Sequence, residues 1–348
     1  MEKQTVISID AMGGDFAPRC VLEGLALSVK KHKDLFFFLF GNEEVLIPLA
    51  KEVGLPSECY KIHHTNHIIK ATDKPSHAIR TGRESSMWQA IMAVRNGYAK
   101  AVVSAGNTGA LMAMSKICLG TIPGIDRPAI AAILPSMTGP IVCLDLGANA
   151  ECDAQNLVEF AVMGDVLYKV LFKNDHPSIG LLNIGSEETK GREEIREAAA
   201  QLKEYGDRLN FKGFVEGNDI AMGNAQVFVS DGFSGNIALK TLEGTAKFIA
   251  SSLKQEVKKS PLGLLGFALA IGALKRFKNK ADPRKYNGAM FVGLNGISVK
   301  SHGGADAFAF SCAVDAAAQM AQNDLCEKIK SEMAAFLNLS GLNDVSEP

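Results

Sequence analysis

One local pattern recurs along the chain: an apolar, β-branched run ends in a turn of Gly, Asn, Ser and Asp, and a helical segment usually follows. Such runs are typical of β-strands, and strands that alternate with helices favour a mostly parallel sheet with helices on both faces. The pattern therefore predicts an α/β fold. It is found in VISIDAMGGDFAP, AVVSAGNTGALMA, IVCLDLGANAEC, IGLLNIGSEETKG, VFVSDGFSGNIALK and MFVGLNGISVKSHGGADAF.

The predicted strands and helices follow one another without a linker. No stretch rich in Pro, Gly or Ser divides the chain, so residues 4–338 are predicted to form one α/β body, which could have two lobes. The predicted helices cover residues 17–32, 42–53, 83–96, 108–118, 151–173, 188–205, 236–258 and 305–337.

Composition narrows the range of functions. The chain has 348 residues, 47% of them hydrophobic, and a formal net charge of −1. It contains no basic patch with interleaved aromatic residues, so we do not expect nucleic-acid binding. Its seven cysteines are scattered without a CxxC pair or zinc-ligand spacing, which predicts buried, reduced thiols and no metal site. Reduced thiols, and the lack of an apolar leader in MEKQTVISID, favour a cytoplasmic protein.

One segment departs from the pattern. From Pro261 to Leu274 the chain carries no charge, and basic residues flank this stretch on both sides. It is too short to cross a bilayer as a helix, which needs about 20 residues. Apolar residues with basic flanks suit insertion into an anionic membrane surface, but a helical hairpin buried in a dimer interface would use the same residues. Residues 258–282 are therefore predicted to make membrane or dimer contact, and the candidates for membrane contact are Leu264, Leu265, Phe267 and Leu269.

The turns after the strands carry small hydrogen-bonding groups. Ligands of parallel sheets gather at the carboxyl ends of the strands, and N–H groups at a helix start favour anions. The chain has neither G-x-G-x-x-G nor G-x-x-x-x-G-K-[ST], so the sequence does not support NAD or ATP and we expect no cofactor. The candidate phosphate or substrate ligands are Ser104, Gly106, Asn107, Thr108, Ser186 and Ser234.

Other turn residues suit different tasks, and each has a plainer alternative. Lys190, Asn236 and His302 are the candidates for catalysis, although a solvated lysine, a helix cap and a structural histidine would look the same. Acidic turn residues repel an anion, so they are predicted to fix turns or orient a cation. The residues predicted to orient the turns are Asp10, Gly13, Gly14, Asp15, Asp145 and Asn149.

Six of these turns, taken in order, resemble the bacterial phosphate acyltransferase family, the acyl-carrier-protein:phosphate transacylases of phospholipid synthesis. The resemblance runs from about residue 5 to 325 and rests on ISIDAMGGD, SAGNTGA, LDLGAN, LLNIGSEETKG, DGFSGN and KSHGGAD. It implies an α/β/α sandwich similar to the isocitrate-dehydrogenase-like and phosphotransacetylase folds, working as a homodimer. It also implies reversible transfer of a long-chain acyl group from acyl carrier protein to inorganic phosphate.

The same resemblance implies partners and a location. The product, acyl phosphate, would be the donor for a membrane glycerol-3-phosphate acyltransferase, and the protein would associate peripherally with the membrane from the cytoplasm. An acidic carrier protein needs a basic docking patch. The candidates for that patch are Lys275, Arg276, Lys278, Lys280, Arg284 and Lys285.

A mechanism without a protein base fits these residues, because phosphate is itself a nucleophile at neutral pH. Lys190 and Asn236 are predicted to stabilise the phosphate or the developing oxyanion. Ser104, Asn107 and Thr108 are predicted to cradle the phosphate, and His302 to donate to the leaving thiolate. The hypothesis requires all these turns to surround one anion. Its rivals are a phosphotransacetylase acting on short acyl-CoA, a dehydrogenase of the same fold, and a non-catalytic membrane-surface scaffold.

Overall fold

A single eleven-stranded sheet runs through the molecule. The structure is a computed structural model that describes residues 4–280 and 282–339. The strands are β1 (Thr5–Asp10), β2 (Leu35–Gly41), β3 (Tyr60–His64), β4 (Ala101–Ser104), β5 (Ala129–Pro135), β6 (Pro140–Leu144), β7 (Ser178–Leu182), β8 (Asn210–Val215), β9 (Val227–Val229), β10 (Ala289–Val292) and β11 (Ile297–Lys300).

Helices follow most of the strands, as the recurring pattern predicts. Several begin at a side-chain cap: Asn42, Asn107 and Asp231 each accept a hydrogen bond from an N–H of the first turn. The helices are α1 (Arg19–Lys31), α2 (Glu43–Glu52), α3 (Pro75–Thr81), α4 (Ser86–Arg95), α5 (Thr108–Leu119), α6 (Ala154–Phe172), α7 (Glu193–Glu204), α8 (Gly217–Met222), α9 (Gly232–Lys258), α10 (Pro261–Leu269), α11 (Ile271–Lys280), α12 (Ala307–Gln322) and α13 (Leu325–Leu339).

Strand direction divides the sheet into two halves. The spatial order is β3-β2-β1-β4-β11-β10-β5-β6-β9-β7-β8. β1 to β4 and β11 run parallel to one another, and so do β6 to β9. Between the halves, β10 and β5 make the antiparallel pairs β11–β10, β10–β5 and β5–β6. Three reversals place β6, β7, β8 and β9 antiparallel to β1, so the two sets of carboxyl ends leave opposite edges of the sheet.

Helices cover both faces of the sheet. One apolar cluster joins α1, α6, α12 and α13 to the sheet and includes Phe160 and Phe310, both fully buried. A second cluster joins α4 and α5 to the other face, and a third lies beneath α8 and the start of α9. The predicted α/β/α fold with a large, mostly parallel sheet is therefore confirmed.

Helix boundaries differ from the sequence prediction in three places. The helix predicted over residues 305–337 is two helices, because the chain turns at Asn323 and Asp324, and Asp324 has a φ of 50°. α9 begins at Gly232, one turn earlier than predicted. The short helices α3 and α8 were not predicted.

The second half of α9, with α10 and α11, forms an exposed arm. The side chains of Phe248, Leu262, Leu269 and Phe277 are each at least 70% exposed. None of the helices in residues 4–280 and 282–339 is long and apolar enough to cross a bilayer. The arm contains the segment predicted to make membrane or dimer contact. Of its candidates, Leu269 is exposed and Phe267 is half-buried, whereas the side chains of Leu264 and Leu265 lie outside what the structure describes.

Candidate active site

The turns after β1, β4 and β11 pack into one group, here called the first turn cluster (residues 10–15, 104–108 and 300–304). Its centre is Asp10, whose carboxylate accepts hydrogen bonds from Ser86 Oγ at 2.6 Å and Ser104 Oγ at 2.7 Å. Asp10 is 1% exposed. Burial raises its pKa, and the two hydroxyl hydrogen bonds oppose that rise. These contacts hold the Asp10 carboxylate in place at the end of β1, and its role in orienting the turn stays a prediction.

Glycines allow the turns of the first cluster to approach one another. A Cβ on Gly13 would lie 2.8 Å from the backbone N of Gly106 and would overlap the Asp10 carboxylate. Gly14 has a φ of +115°, which side chains rarely permit. The Asp15 N–H donates to the Gly303 carbonyl at 2.8 Å. The strand that ends in two glycines is thus held against two other turns.

A buried lysine, Lys300, joins two turns of the first cluster by hydrogen bonds. Lys300 is 8% exposed, and its Nζ donates to the carbonyl oxygens of Ala105, at 3.2 Å, and Ser301. Burial lowers the pKa of Lys300 to about 8, whereas the charges of Asp10 and Asp15 raise it. The lysine therefore bonds to the protein's own backbone at the end of β11.

Asn107 is fully occupied by the protein. Its Oδ1 accepts from the Ala110 N–H at 3.0 Å and caps α5. Its Nδ2 donates to the carbonyls of Lys70, Ala71 and Asp73 at 2.9–3.2 Å. The side chain therefore joins the start of α5 to the loop before α3.

The other candidates of the first cluster, the phosphate candidates Ser104 and Thr108 and the catalytic candidate His302, differ in their exposure. Ser104 is fully buried: its hydroxyl donates to Asp10 and accepts from the Gly106 N–H at 3.0 Å. Thr108 and His302 are exposed, and His302 Nδ1 accepts from the Gly304 N–H. Only Thr108 and His302 thus present side chains to solvent.

The turns after β6, β7 and β9 form the second turn cluster (residues 145–149, 183–192 and 230–236). Asp145 is fully buried at its centre. Its carboxylate accepts from four backbone N–H groups, of which the Asn149 N–H is nearest at 2.7 Å, and from Asn149 Nδ2 at 2.9 Å. Burial raises the pKa of Asp145, and these hydrogen bonds oppose the rise. Asp145 and Asn149 are therefore hydrogen-bonded to each other within the turn after β6, and the role in orienting that turn stays a prediction.

Asp231 fixes the start of α9. It is 3% exposed, accepts from the Ser234 N–H at 2.7 Å and Ser234 Oγ at 3.0 Å, and pairs with Arg192. The sequence analysis missed Arg192. Its only sequence signal is that it follows Lys190 by two residues in a glycine turn, and its pairing with Asp231 depends on the fold.

Lys190 and Asn236 lie in this second cluster, and both are exposed. Asn236 Nδ2 donates to the Leu146 carbonyl at 2.9 Å, and an amide nitrogen carries a second hydrogen. Asn183 Nδ2 donates to the Lys190 carbonyl at 3.1 Å. The Oδ1 of Asn183 is buried and has no hydrogen-bond partner. Ser186 is exposed in the same turn as Lys190.

The structure does not bring all the predicted site residues together. Lys190, Asn236, Ser186 and Ser234 belong to the second cluster. Ser104, Gly106, Asn107, Thr108 and His302 belong to the first. The strands before the two clusters run in opposite directions, so the clusters form at opposite edges of the sheet. Within the part of the chain that the structure describes, no group of three or more acidic, His or Cys side chains could hold a metal ion.

Known proteins match almost the whole chain. The family model described as "Fatty acid synthesis protein" matches residues 5–328. A phosphate acyltransferase of Rhodospirillum rubrum is 49% identical over 346 residues, covering 99% of each chain. One of Rhodospirillum centenum is 51% identical over 334 residues, covering 96% of this chain and 94% of the other.

This chain belongs to the phosphate acyltransferase family. The family resemblance inferred from the six turns is thereby confirmed. A phosphotransacetylase of Streptococcus pyogenes has a similar structure, with a TM-score of 0.63 and 19% identity over 92% of this chain and 95% of that one. A branched-chain phosphotransacylase of Enterococcus faecalis gives a TM-score of 0.58 and 16% identity, covering 91% and 99%. At these identities the two structures show that this chain shares their fold, and no more.

Proposed function

We propose that this chain transfers a long-chain acyl group reversibly from the thioester of acyl carrier protein to inorganic phosphate, and that the acyl phosphate feeds phospholipid synthesis. The observation that carries the proposal is the second turn cluster. There an exposed cation, Lys190, and an exposed amide, Asn236, belong to turns that Asp145 and Asp231 hold in place. Membership of the phosphate acyltransferase family supports the reaction class.

In the proposed reaction, a phosphate oxygen attacks the thioester carbonyl carbon. The tetrahedral intermediate carries a negative charge on the former carbonyl oxygen, and its collapse breaks the carbon–sulfur bond and releases a thiolate. Lys190 stabilises the phosphate or that oxyanion by charge, and Asn236 donates its free N–H to the same atoms. No protein base is required, because phosphate at neutral pH is already partly dianionic.

We place the remaining candidates by their contacts. Ser186 is exposed in the second cluster and is proposed to bind phosphate or substrate, whereas Ser234 donates its hydroxyl to Asp231 and is assigned to the scaffold of that cluster. Ser104 and Asn107 already use their polar groups within the protein, and we assign them to the scaffold of the first cluster. Thr108 and His302 are exposed in the first cluster. Phosphate binding and thiolate release were predicted for them, but the reaction proposed at the second cluster uses neither side chain.

The nearest rival is a phosphotransacetylase reaction with a short acyl-CoA. The test is phosphate-dependent formation of acyl phosphate from palmitoyl carrier protein beside acetyl-CoA. We expect turnover with the carrier-protein thioester and at least about tenfold lower kcat/KM with acetyl-CoA, because a short chain forfeits the burial of many methylenes. Preference for acetyl-CoA would establish the rival, and no turnover with either donor would favour the non-catalytic scaffold.

We also propose that the protein is a homodimer that associates peripherally with the membrane through the arm and passes its product to a membrane glycerol-3-phosphate acyltransferase. The exposed apolar side chains of the arm support this, as do the exposed Lys275 and Arg276. Arg284 suits carrier docking less well, because its guanidinium is paired with Asp282 and Asp306.

Charge reversal separates the two uses of the basic residues. Lys275→Glu with Arg276→Glu should abolish binding to anionic liposomes while leaving the KM for acyl carrier protein unchanged. Lys100→Glu, at an exposed lysine before β4, is the matched control. A raised KM with intact liposome binding would instead assign the two residues to carrier docking.

A further inference from the structure

A row of lysines runs along α9, starting near the second turn cluster. Lys240, Lys247 and Lys254 follow one another at intervals of seven residues, and all three are exposed. Seven residues are close to two helical turns, so side chains at this spacing share one face of the helix. The three lysines, here called the lysine ridge, therefore form one basic edge that extends about 21 Å along the axis.

The lysine ridge begins beside the proposed site of reaction. Asn236 is exposed and precedes Lys240 by four residues, which is one helical turn on the same face. Its Nδ2 donates to the Leu146 carbonyl at 2.9 Å, so this face of α9 is fixed to the turn after β6. Two exposed apolar side chains, Phe233 and Ile237, flank Asn236 on the helix. A partner that contacts the ridge would therefore have an apolar surface and the proposed reacting groups at one end.

The charge of the ridge is neutralised only in part. Lys240 pairs with Glu243 at 3.0 Å, and a contact between two such exposed side chains contributes little. The second glutamate of α9, Glu256, pairs with Lys259 beyond the end of the helix. With four lysines and two glutamates, α9 has a net charge of +2 (4 − 2). Exposed charge of one sign steers the encounter with an oppositely charged partner.

The position of the ridge on α9 favours a protein partner over a lipid surface. The exposed apolar residues Ile249 and Leu253 follow Lys247 by two and six residues, which places them on the other side of the helix. A helix that lies on a membrane has its lysines on the polar face, above the apolar face that the lipid buries. The lysine ridge would therefore point away from a lipid surface that held Ile249 and Leu253.

We propose that the lysine ridge is the docking surface for acyl carrier protein, whose acidic surface contacts the ridge while its thioester reaches Asn236. The inference rests on the proposed function and adds the surface that binds the carrier. It assigns docking to α9 in place of the candidates on α11, of which Lys275 and Arg276 are proposed to face lipid. A carrier protein holds its thioester on a flexible arm, so its body can dock beside the reacting groups.

Charge reversal tests the docking surface with donors that have and lack the carrier. Lys247→Glu with Lys254→Glu should raise the KM for palmitoyl carrier protein by at least about tenfold, because attraction becomes repulsion. With the palmitoyl thioester of pantetheine, which has no net charge, kcat/KM should stay within about twofold. Added salt should raise the KM for palmitoyl carrier protein in wild type and should not raise it in the variant, since salt screens both attraction and repulsion.

The matched control reverses two lysines elsewhere on the surface. Lys61→Glu with Lys100→Glu changes the net charge equally at exposed positions of the first half of the sheet, and should affect neither donor. Thermal melting checks the fold of both double variants. Lys247→Gln with Lys254→Gln is a milder second variant that removes the attraction without adding repulsion, and it should raise the KM for palmitoyl carrier protein by about threefold.

An unchanged KM for palmitoyl carrier protein in the folded charge-reversal variant would overturn the inference. If that variant also lost its binding to phosphatidylglycerol vesicles, the ridge would be assigned to lipid instead. An equal loss with both donors would overturn the inference as well, since it would place the lysines at the chemistry rather than at docking. If wild-type protein forms no acyl phosphate from either thioester, the proposed function itself fails, which the wild-type assay shows before any variant is made.

Discussion

The two turn clusters both hold a buried aspartate in place, but the groups that donate hydrogen bonds to it differ. Each contains a buried aspartate at the end of a strand: Asp10 is the last residue of β1, and Asp145 directly follows β6. Asp10 is held by two serine hydroxyls, with the buried Lys300 near it. Asp145 is held almost entirely by backbone N–H groups of its own and a neighbouring turn.

That difference is the reason why we propose that the second cluster binds the substrate. In the first cluster Ser104 and Asn107 donate to the protein itself, and Lys300 is buried on backbone carbonyls. In the second cluster the buried groups fix the turns, whereas Lys190 and Asn236 reach solvent. We therefore propose that the first cluster is a scaffold, and we expect the chemistry at the second.

The largest predicted effect is a loss of acyltransferase activity when a side chain of the second cluster is removed. Lys190→Ala and Asn236→Ala should each lower kcat for acyl phosphate formation by about 10²–10³, as expected when one oxyanion-stabilising group is lost. Because both side chains are exposed, the free energy of unfolding should change by less than about 0.5 kcal/mol. Turnover assays and urea unfolding measure the two quantities.

The matched variants for that comparison are Thr108→Ala and His302→Ala, the exposed candidates of the first cluster. We expect each to stay within about threefold of wild type, since neither lies near the second cluster. If these two variants lost as much activity as Lys190→Ala, the assignment of the chemistry to one cluster would be wrong.

A second prediction concerns pH and the helix behind the second cluster. Glu159 on α6 is 3% exposed and accepts from the Asp126 N–H at 3.1 Å, in the loop whose Pro128 carbonyl binds Asn149. Burial raises the pKa of Glu159 from 4.5 to about 7. A carboxyl with a raised pKa in the folded state lowers stability as pH rises from its unfolded pKa through its folded pKa.

Between about pH 5 and about pH 8, wild type should therefore lose about 2–3 kcal/mol of unfolding free energy relative to Glu159→Gln. Urea unfolding of both proteins across this range gives the difference. Glu159 contacts the loop that binds Asn149 of the second cluster. The effect therefore tests whether a titrating group supports that cluster. Parallel pH dependences in the two proteins would show that Glu159 has no raised pKa.

The sequence could predict the local features of this arrangement but not the directions of its strands. Local features were accessible: the strand ends at Asp10 and Asp145, the glycine turns, and Asn107 at the start of α5. The direction of each strand was not predicted. The sequence analysis assumed one mostly parallel set of strands, which would place all the turns at one edge of the sheet. The β5–β6 and β10–β11 pairs are antiparallel, and with the antiparallel β10–β5 pair they reverse the second half of the sheet. A glycine in the short turn between β5 and β6, Gly139, was a sequence signal of a hairpin that the sequence analysis did not use. In the structure Gly139 has a φ of +137°.

The smallest predicted effect distinguishes a structural asparagine from a phosphate ligand within the first cluster. Asn107→Ala removes the cap of α5 and the hydrogen bonds to the loop before α3, so it should cost about 1–2 kcal/mol of unfolding free energy. The KM for phosphate should stay within about twofold, because the side chain has no free amide hydrogen in the folded protein. Asn107→Asp, which keeps the capping oxygen and loses the Nδ2 donors, should recover part of the stability. A rise of tenfold or more in the KM for phosphate, with stability unchanged, would mean that Asn107 meets the substrate and that the first cluster takes part in binding.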